Sequence, residues 1–202
     1  MKLYTTKVAP NPKRVHIFLA EKGIDIDCVE IDLGESENLE ADFVKINPLA
    51  RVPVLELDDG SHIAESIAIC RYFEEQQPEP SLFGASQKDK AVVEMWNRRM
   101  ESEILANASM CFRHTHPYWE GRIPQVHEFG ELCRKNIMDR MTWLDGELAE
   151  REYISGDRFT VADITAFVGF QIGRVPKIRI GEDMINLQRW FDSVSARSSS
   201  QG

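Results

Sequence analysis

Every stretch of this 202-residue chain that reads as a strand lies before Gln76, and no convincing strand follows it. That split excludes one sheet running the length of the chain. It predicts an α/β unit followed by an all-helical one. Leu3–Thr6 reads as a first strand. Asn11 is a good N-cap and Pro12 a good first helical residue for the helix that carries Val15, Phe18 and Leu19, and Gly23 stops it. Ile26–Ile31 is β-branched and alternating, so strand, helix, strand forms a parallel pair with a right-handed crossover. Leu39–Ile46 reads as a short helix, Val52–Leu57 as a strand, Asp58-Asp59-Gly60 as a hairpin turn, Ser61–Ile63 as an antiparallel strand, and Glu65–Gln76 as a helix. The expected order is β-α-β-α-β-β-α over residues 1–77, with a Pro-rich linker over 78–87 and a helical domain over 88–202.

In the second part, Ser86-x-x-Asp89 is a capping box opening a long helix with Val92, Met95, Trp96 and Met100 inward. A further helix spans roughly Pro124–Glu150, with a stripe of Val126, Phe129, Cys133, Ile137, Met141, Leu144 and Leu148. Thr160-x-x-Asp163 is a second capping box, with Phe159 and Ile164 as its hydrophobic staple, opening a buried helix to Ile172. A last helix carries Ile185, Leu187, Trp190, Phe191 and Val194, and the serine-rich tail from Ser198 reads as frayed.

The net charge of −9 argues against nucleic acid as a partner, since phosphate binding needs a basic surface. Lys7, Lys13, Arg14 and Arg51 could form a local patch for a small anion, although each taken singly reads as a solvated surface charge. Cys28, Cys70, Cys111 and Cys133 form no C-x-x-C motif and read as small core residues of a reducing compartment. No apolar run suits a signal peptide or a membrane span, so the expected location is the cytoplasm. His114-x-His116 has no third ligand at hand, and no metal is expected.

Four segments carry a resemblance. They are Pro10-Asn11-Pro12-Lys13-Arg14-Val15 with Leu19-Ala20-Glu21-Lys22-Gly23-Ile24, Asn47–Leu55, Glu65–Ile69, and Gly156–Asp163. In order and spacing they resemble the cytosolic glutathione transferase superfamily over nearly the whole chain. The resemblance implies a thioredoxin-like N-terminal domain and a helical bundle C-terminal domain. It also implies glutathione as co-substrate, a small electrophilic or disulfide second substrate, and a homodimer.

The resemblance further implies a cis Val52–Pro53 bond, with the Val52 backbone pairing with the cysteinyl residue of glutathione. Residue pattern alone allows a trans proline at an edge strand. Glu65 and Ser66 open a helix, where free N–H groups suit a carboxylate; they could equally be plain caps, and the resemblance implies γ-glutamyl binding. Arg51 is matched to the glycyl carboxylate.

The reaction needs a thiolate, and a free thiol has a pKa of about 8.5. Many members carry Ser, Tyr or Cys near the end of the first strand. Here Ala9 stands at the serine's place and offers no donor. Asn11 matches the asparagine of a Thr-x-Asn pattern in some members and is the expected catalytic residue, acting with the helix N-terminus; Thr5 and Thr6 are reserve donors, and Tyr4 points into the core. Trp96, Arg99, Glu103, Phe112 and Tyr118 are candidates for the second-substrate pocket, with Trp96 equally a packing residue. Thr160 and Asp163 are structural. Transfer to an electrophilic carbon is the first reading. Glutathione-dependent disulfide or peroxide reduction and a non-catalytic interaction module are the alternatives, and the fold does not choose among them.

Overall fold

The computed structural model describes residues 1–201 and divides into two compact units, Met1–Ser81 and Leu82–Gln201. The first unit is a four-stranded sheet in the order β2-β1-β3-β4. Its elements are β1 (Lys2–Thr5), α1 (Pro10–Lys22), β2 (Asp27–Glu30), α2 (Ala41–Ile46), β3 (Val54–Glu56), β4 (His62–Ala64) and α3 (Ser66–Gln76). β1 pairs parallel with β2 and antiparallel with β3, and β3 pairs antiparallel with β4. The expected element order is therefore found. Leu3, Val54 and Leu55 are buried from the sheet, and Val15, Phe18, Ile69 and Phe73 from the helices. β2 is exposed at the sheet edge, which puts Cys28 outside the core expected for it.

α1 begins two residues earlier than the sequence predicts. Ala9 is its N-cap, Pro10 its first residue, and Asn11 is the second helical residue, exposed to solvent. Proline tolerates the first turn because no intrahelical N–H is needed there, so Pro10 and Pro12 both fit and the cap moves to Ala9. Gly23 closes α1 in the left-handed region at φ 64°, and the Ile24 N–H reaches the Leu19 carbonyl at 2.9 Å. Arg14 does not join a surface patch: it is 1% exposed.

The segment after α3 is held firmly despite its linker-like sequence. The buried Lys22 Nζ donates to the carbonyls of Gln77 at 2.8 Å, Pro78 at 3.2 Å and Pro80 at 2.6 Å, and pairs with Glu74 at 2.5 Å.

The second unit contains α4 (Gln87–Arg99), α5 (Ala106–Thr115), α6 (His127–Glu147), α7 (Val161–Gly173) and α8 (Ile185–Ser195), and a π-helical segment over Met100–Leu105 joins α4 to α5. Ser86 Oγ caps α4 by accepting from the Asp89 N–H at 3.2 Å. Ser86→Ala should therefore lower stability by about 1 kcal/mol in urea unfolding. The buried stripe of α4 is Val93, Trp96 and Asn97, while Met95 is 40% exposed. Asn97 belongs to that stripe because its Oδ1 accepts from the buried Thr165 hydroxyl at 2.7 Å. Cys133, Ile137, Met141 and Leu144 form the inner face of α6; Val126 and Phe129 lie outside it, at 52% and 43% exposed.

α7 is buried along nearly its whole length, and its capping box is formed as predicted. The tail is ordered rather than frayed over Ser198–Ser200, a short 3₁₀ turn with Ser200 buried; Gly202 lies outside the described residues. No helix among the described residues is long and apolar enough to cross a membrane.

Candidate functional site

Sheet direction gathers the candidate residues of the first unit. β1 ends at Thr5. β3 runs opposite to it, so the start of β3 lies at that same end, with Val54 beside Tyr4. β4 runs opposite to β3, so its last residue, Ala64, pairs with Val54 there too. The turn into α1, the approach to β3 and the N-terminus of α3 thus meet at one end of the sheet. A side-chain contact ties two of them, since the Arg14 guanidinium donates to Ser66 Oγ at 3.2 Å.

Each arm has its own local cause. Asn47, which is 6% exposed, organises the loop before β3. Its Nδ2 donates to the Arg51 carbonyl at 2.8 Å and its Oδ1 accepts from the Leu49 N–H at 3.1 Å, while Asn38 Nδ2 reaches the Ala50 carbonyl at 2.8 Å. The Arg51 side chain is left exposed. The Val52–Pro53 bond is cis, and Val52 and Pro53 are both buried.

Glu65 is the N-cap of α3 and sits at φ 70°, ψ 119°, with its side chain exposed. That φ is unfavourable for any residue with a Cβ, and strain of this kind, on the order of 1–3 kcal/mol, clusters at functional sites. Ser66 opens α3 and is 5% exposed. Because its oxygen accepts from Arg14, its own hydrogen is free to donate to an outside acceptor.

At the third arm, Ala9 offers no side-chain cap to α1. Pro10 and Pro12 have no N–H, and the Lys13 N–H is used on the Ala9 carbonyl at 3.2 Å. The donors left in the first turn are the Asn11 backbone N–H and its side-chain amide, both on an exposed residue. Thr5 and Thr6 are each 2% exposed, and Thr5 Oγ1 pairs with His16 Nε2 at 2.7 Å. Burial holds His16 below the usual histidine range, so it is neutral at pH 7. Tyr4 packs edge-on to Phe43 at 6.1 Å and donates its hydroxyl to Glu56 at 2.7 Å.

The five candidates in the second unit fall into three groups. Trp96 is 4% exposed and stacks on Trp143 at 5.5 Å, with the Arg99 guanidinium 4.8 Å and that of Arg151 4.5 Å from its ring centre. It is a packing residue. Glu103 is engaged by Arg140 at 2.7 Å. Phe112 and Tyr118 belong together, stacked at 6.2 Å beside His116 and Trp119, with Tyr118 42% exposed. His114 and His116 serve as local acceptors, from the N–H groups of Val126 and Tyr118 at 3.0 and 3.2 Å. Thr160 and Asp163 lie wholly in the core of this unit.

Sequence reasoning placed Arg14 on the surface rather than beside Ser66, and gave no individual role to Asn38 or Asn47. The Asn-Pro turn chemistry at Asn47-Pro48 was the available signal for the last of them.

The fold is that of a thioredoxin-like unit followed by an all-helical unit. Comparison with known proteins names the class. Residues 9–76 match the family model "Glutathione S-transferase, N-terminal domain" and residues 108–198 match "Glutathione S-transferase, C-terminal domain". Glutathione S-transferase 2 of Saccharomyces cerevisiae is 36% identical over 203 residues, covering 98% of this chain and 87% of that protein. Among solved structures, a glutathione S-transferase domain-containing protein of Marinobacter aquaeolei VT8 is 40% identical, with a TM-score of 0.93 and coverage of 99% and 100%. A glutathione S-transferase of class Gtt2 from Vibrio parahaemolyticus is 39% identical, with a TM-score of 0.88 and coverage of 100% and 96%. The chain belongs to the glutathione S-transferase family and is a glutathione transferase.

Proposed function

We propose that glutathione lies along the start of β3, with its γ-glutamyl end at the tip of α3 and its sulfur beside the first turn of α1. The observation that carries this reading is the meeting of those three elements at one end of the sheet, tied by the Arg14–Ser66 contact. In this reading the Ser66 hydroxyl and the first N–H groups of α3 donate to the γ-glutamyl carboxylate. The Glu65 carboxylate meets the γ-glutamyl ammonium. The Val52 N–H and C=O pair with the cysteinyl backbone, and Arg51 pairs with the glycyl carboxylate.

Asn11 stabilises the thiolate with its backbone N–H and side-chain amide, lowering the thiol pKa in the place of a hydroxyl. The thiolate then attacks an electrophilic carbon, forming a C–S bond and expelling the leaving group. The protein acts in the cytoplasm as a homodimer, with no metal.

Ser66→Ala should raise the Kd for glutathione roughly tenfold, about the value of one hydrogen bond to a charged group, as read by calorimetry. Turnover of a chromogenic aryl halide, compared with turnover of a small disulfide, tests the reaction. Faster attack on the aryl halide is expected. Turnover of the disulfide alone would replace conjugation by reduction, and no turnover of either by a glutathione-binding protein would leave a binding module.

A further inference from the structure

α5 and α6 lie antiparallel, and three contacts set their register. Arg140 Nε meets Glu103 Oε2 at 2.7 Å just before α5, and Asn136 Nδ2 meets Asn107 Oδ1 at 3.5 Å. At the other end, Gly130 lies against His114 and Thr115, so closely that a Cβ added there would fall 2.5 Å from Thr115 Cγ2. Residue numbers in facing pairs rise along α5 as they fall along α6. One turn beyond Asn107 on α5 is Cys111, and one turn before Asn136 on α6 is Cys133. The two cysteines therefore face each other across the helix pair, next to its closest approach. They are 0% and 3% exposed.

Electrostatics agrees with this placement. Cys111 feels Arg134 and Glu131 of α6, and Cys133 feels Cys111. Burial holds both thiols above the usual range, and at Cys111 the Arg134 guanidinium works against that rise.

The geometry points to an internal disulfide between Cys111 and Cys133, formed when the protein meets a low-molecular-weight disulfide. The Cys111 thiolate attacks one sulfur of the small disulfide, whose S–S bond breaks and releases one small thiol. The Cys133 thiolate then attacks the Cys111 sulfur of the mixed disulfide and releases the second small thiol. Two protein thiols are oxidised, losing two electrons and two protons, and the small disulfide is reduced to two thiols. The reaction is slow, because the oxidant must enter between helices whose ends are one turn from Cys111 and two turns from Cys133. The bond would staple the hairpin that carries the aromatic cluster of Phe112, Tyr118 and Trp119, and it needs no glutathione site.

The test uses the folded full chain carrying Cys28→Ser, which removes the exposed thiol. It is incubated with glutathione disulfide in one arm and hydroxyethyl disulfide in the other, then alkylated, digested with trypsin and weighed. The expected product in both arms is a cross-linked pair of peptides 100–113 and 123–134, with a raised thermal midpoint that Cys133→Ala abolishes. Recovery of both peptides as free thiols or as separate mixed disulfides would overturn the proposal, as would a cross-link that forms only after unfolding. A cross-link in the hydroxyethyl disulfide arm alone would still support it.

Discussion

Replacing Asp163 by alanine should remove about 4 kcal/mol or more of unfolding free energy and leave the helical unit barely folded. Asp163 is 0% exposed and accepts four hydrogen bonds: from the N–H of Ile154 at 2.8 Å, the N–H of Thr160 at 2.9 Å, the Thr160 hydroxyl at 3.1 Å and the Trp190 indole at 2.9 Å. One carboxylate thus joins the loop before α7, the cap of α7 and the face of α8. Removing it strands four buried donors at about 1–3 kcal/mol each, against a total stability of about 5–15 kcal/mol. Asp163→Asn should cost about half as much, since one oxygen remains to accept.

The same group has a pH signature. Burial pushes the Asp163 carboxyl up from 3.8 to about 6, with the four donors opposing that rise. Between those values the folded state holds a proton that the unfolded state has released. The contribution of this group is therefore full below about pH 4 and is lost as pH rises through about 6, a swing of roughly 3 kcal/mol. Urea unfolding of the wild type and of Asp163→Asn, compared at pH 4 and pH 7, isolates it. The stability advantage of the wild type should shrink toward pH 7.

Asn11→Ala should lower kcat/KM roughly a hundredfold, the scale for loss of one donor aimed at developing negative charge. The loss should fall on kcat, with the glutathione KM little changed, because the proposed binding mode has β3 and α3 hold the tripeptide. The physical reason is the poverty of the first turn of α1. Two prolines and an alanine cap leave Asn11 as its source of donors, apart from the Lys13 N–H already used. The ultraviolet absorbance of bound thiolate, titrated with pH, should show a higher thiol pKa in the variant. An unchanged titration would remove Asn11 from the chemistry and leave it a residue of the helix start.

Much of this was legible in the sequence because the decisive signals are local. The Asp-Gly turn, the Gly23 stop, the Ser86 cap and the Thr160–Asp163 capping box each act within a few residues, and each is found; at α4 the Asp89 carboxylate accepts from the Ala85 N–H instead of closing a box on Ser86. What was not legible depends on tertiary neighbours. Asparagine is the better cap by propensity, yet two prolines spaced for a first turn moved the cap of α1 to Ala9. Pattern cannot say that Arg14 goes inside, where its guanidinium meets Ser66, 52 residues away. Periodicity chose Val92 and Met95 on α4. The true stripe runs through Val93 and Asn97, since Thr165 on α7 supplies a buried partner for an amide that pattern reads as surface. The 77–80 segment looks like a free linker until the Lys22 ammonium is seen holding its carbonyls.

The most direct measurement is a crystal structure of the protein with glutathione bound. The γ-glutamyl carboxylate should accept from Ser66 at the tip of α3, the cysteinyl backbone should pair with Val52, and the sulfur should lie within hydrogen-bond reach of Asn11. A tripeptide bound elsewhere, or reversed so that its sulfur sits away from the first turn of α1, would contradict the account.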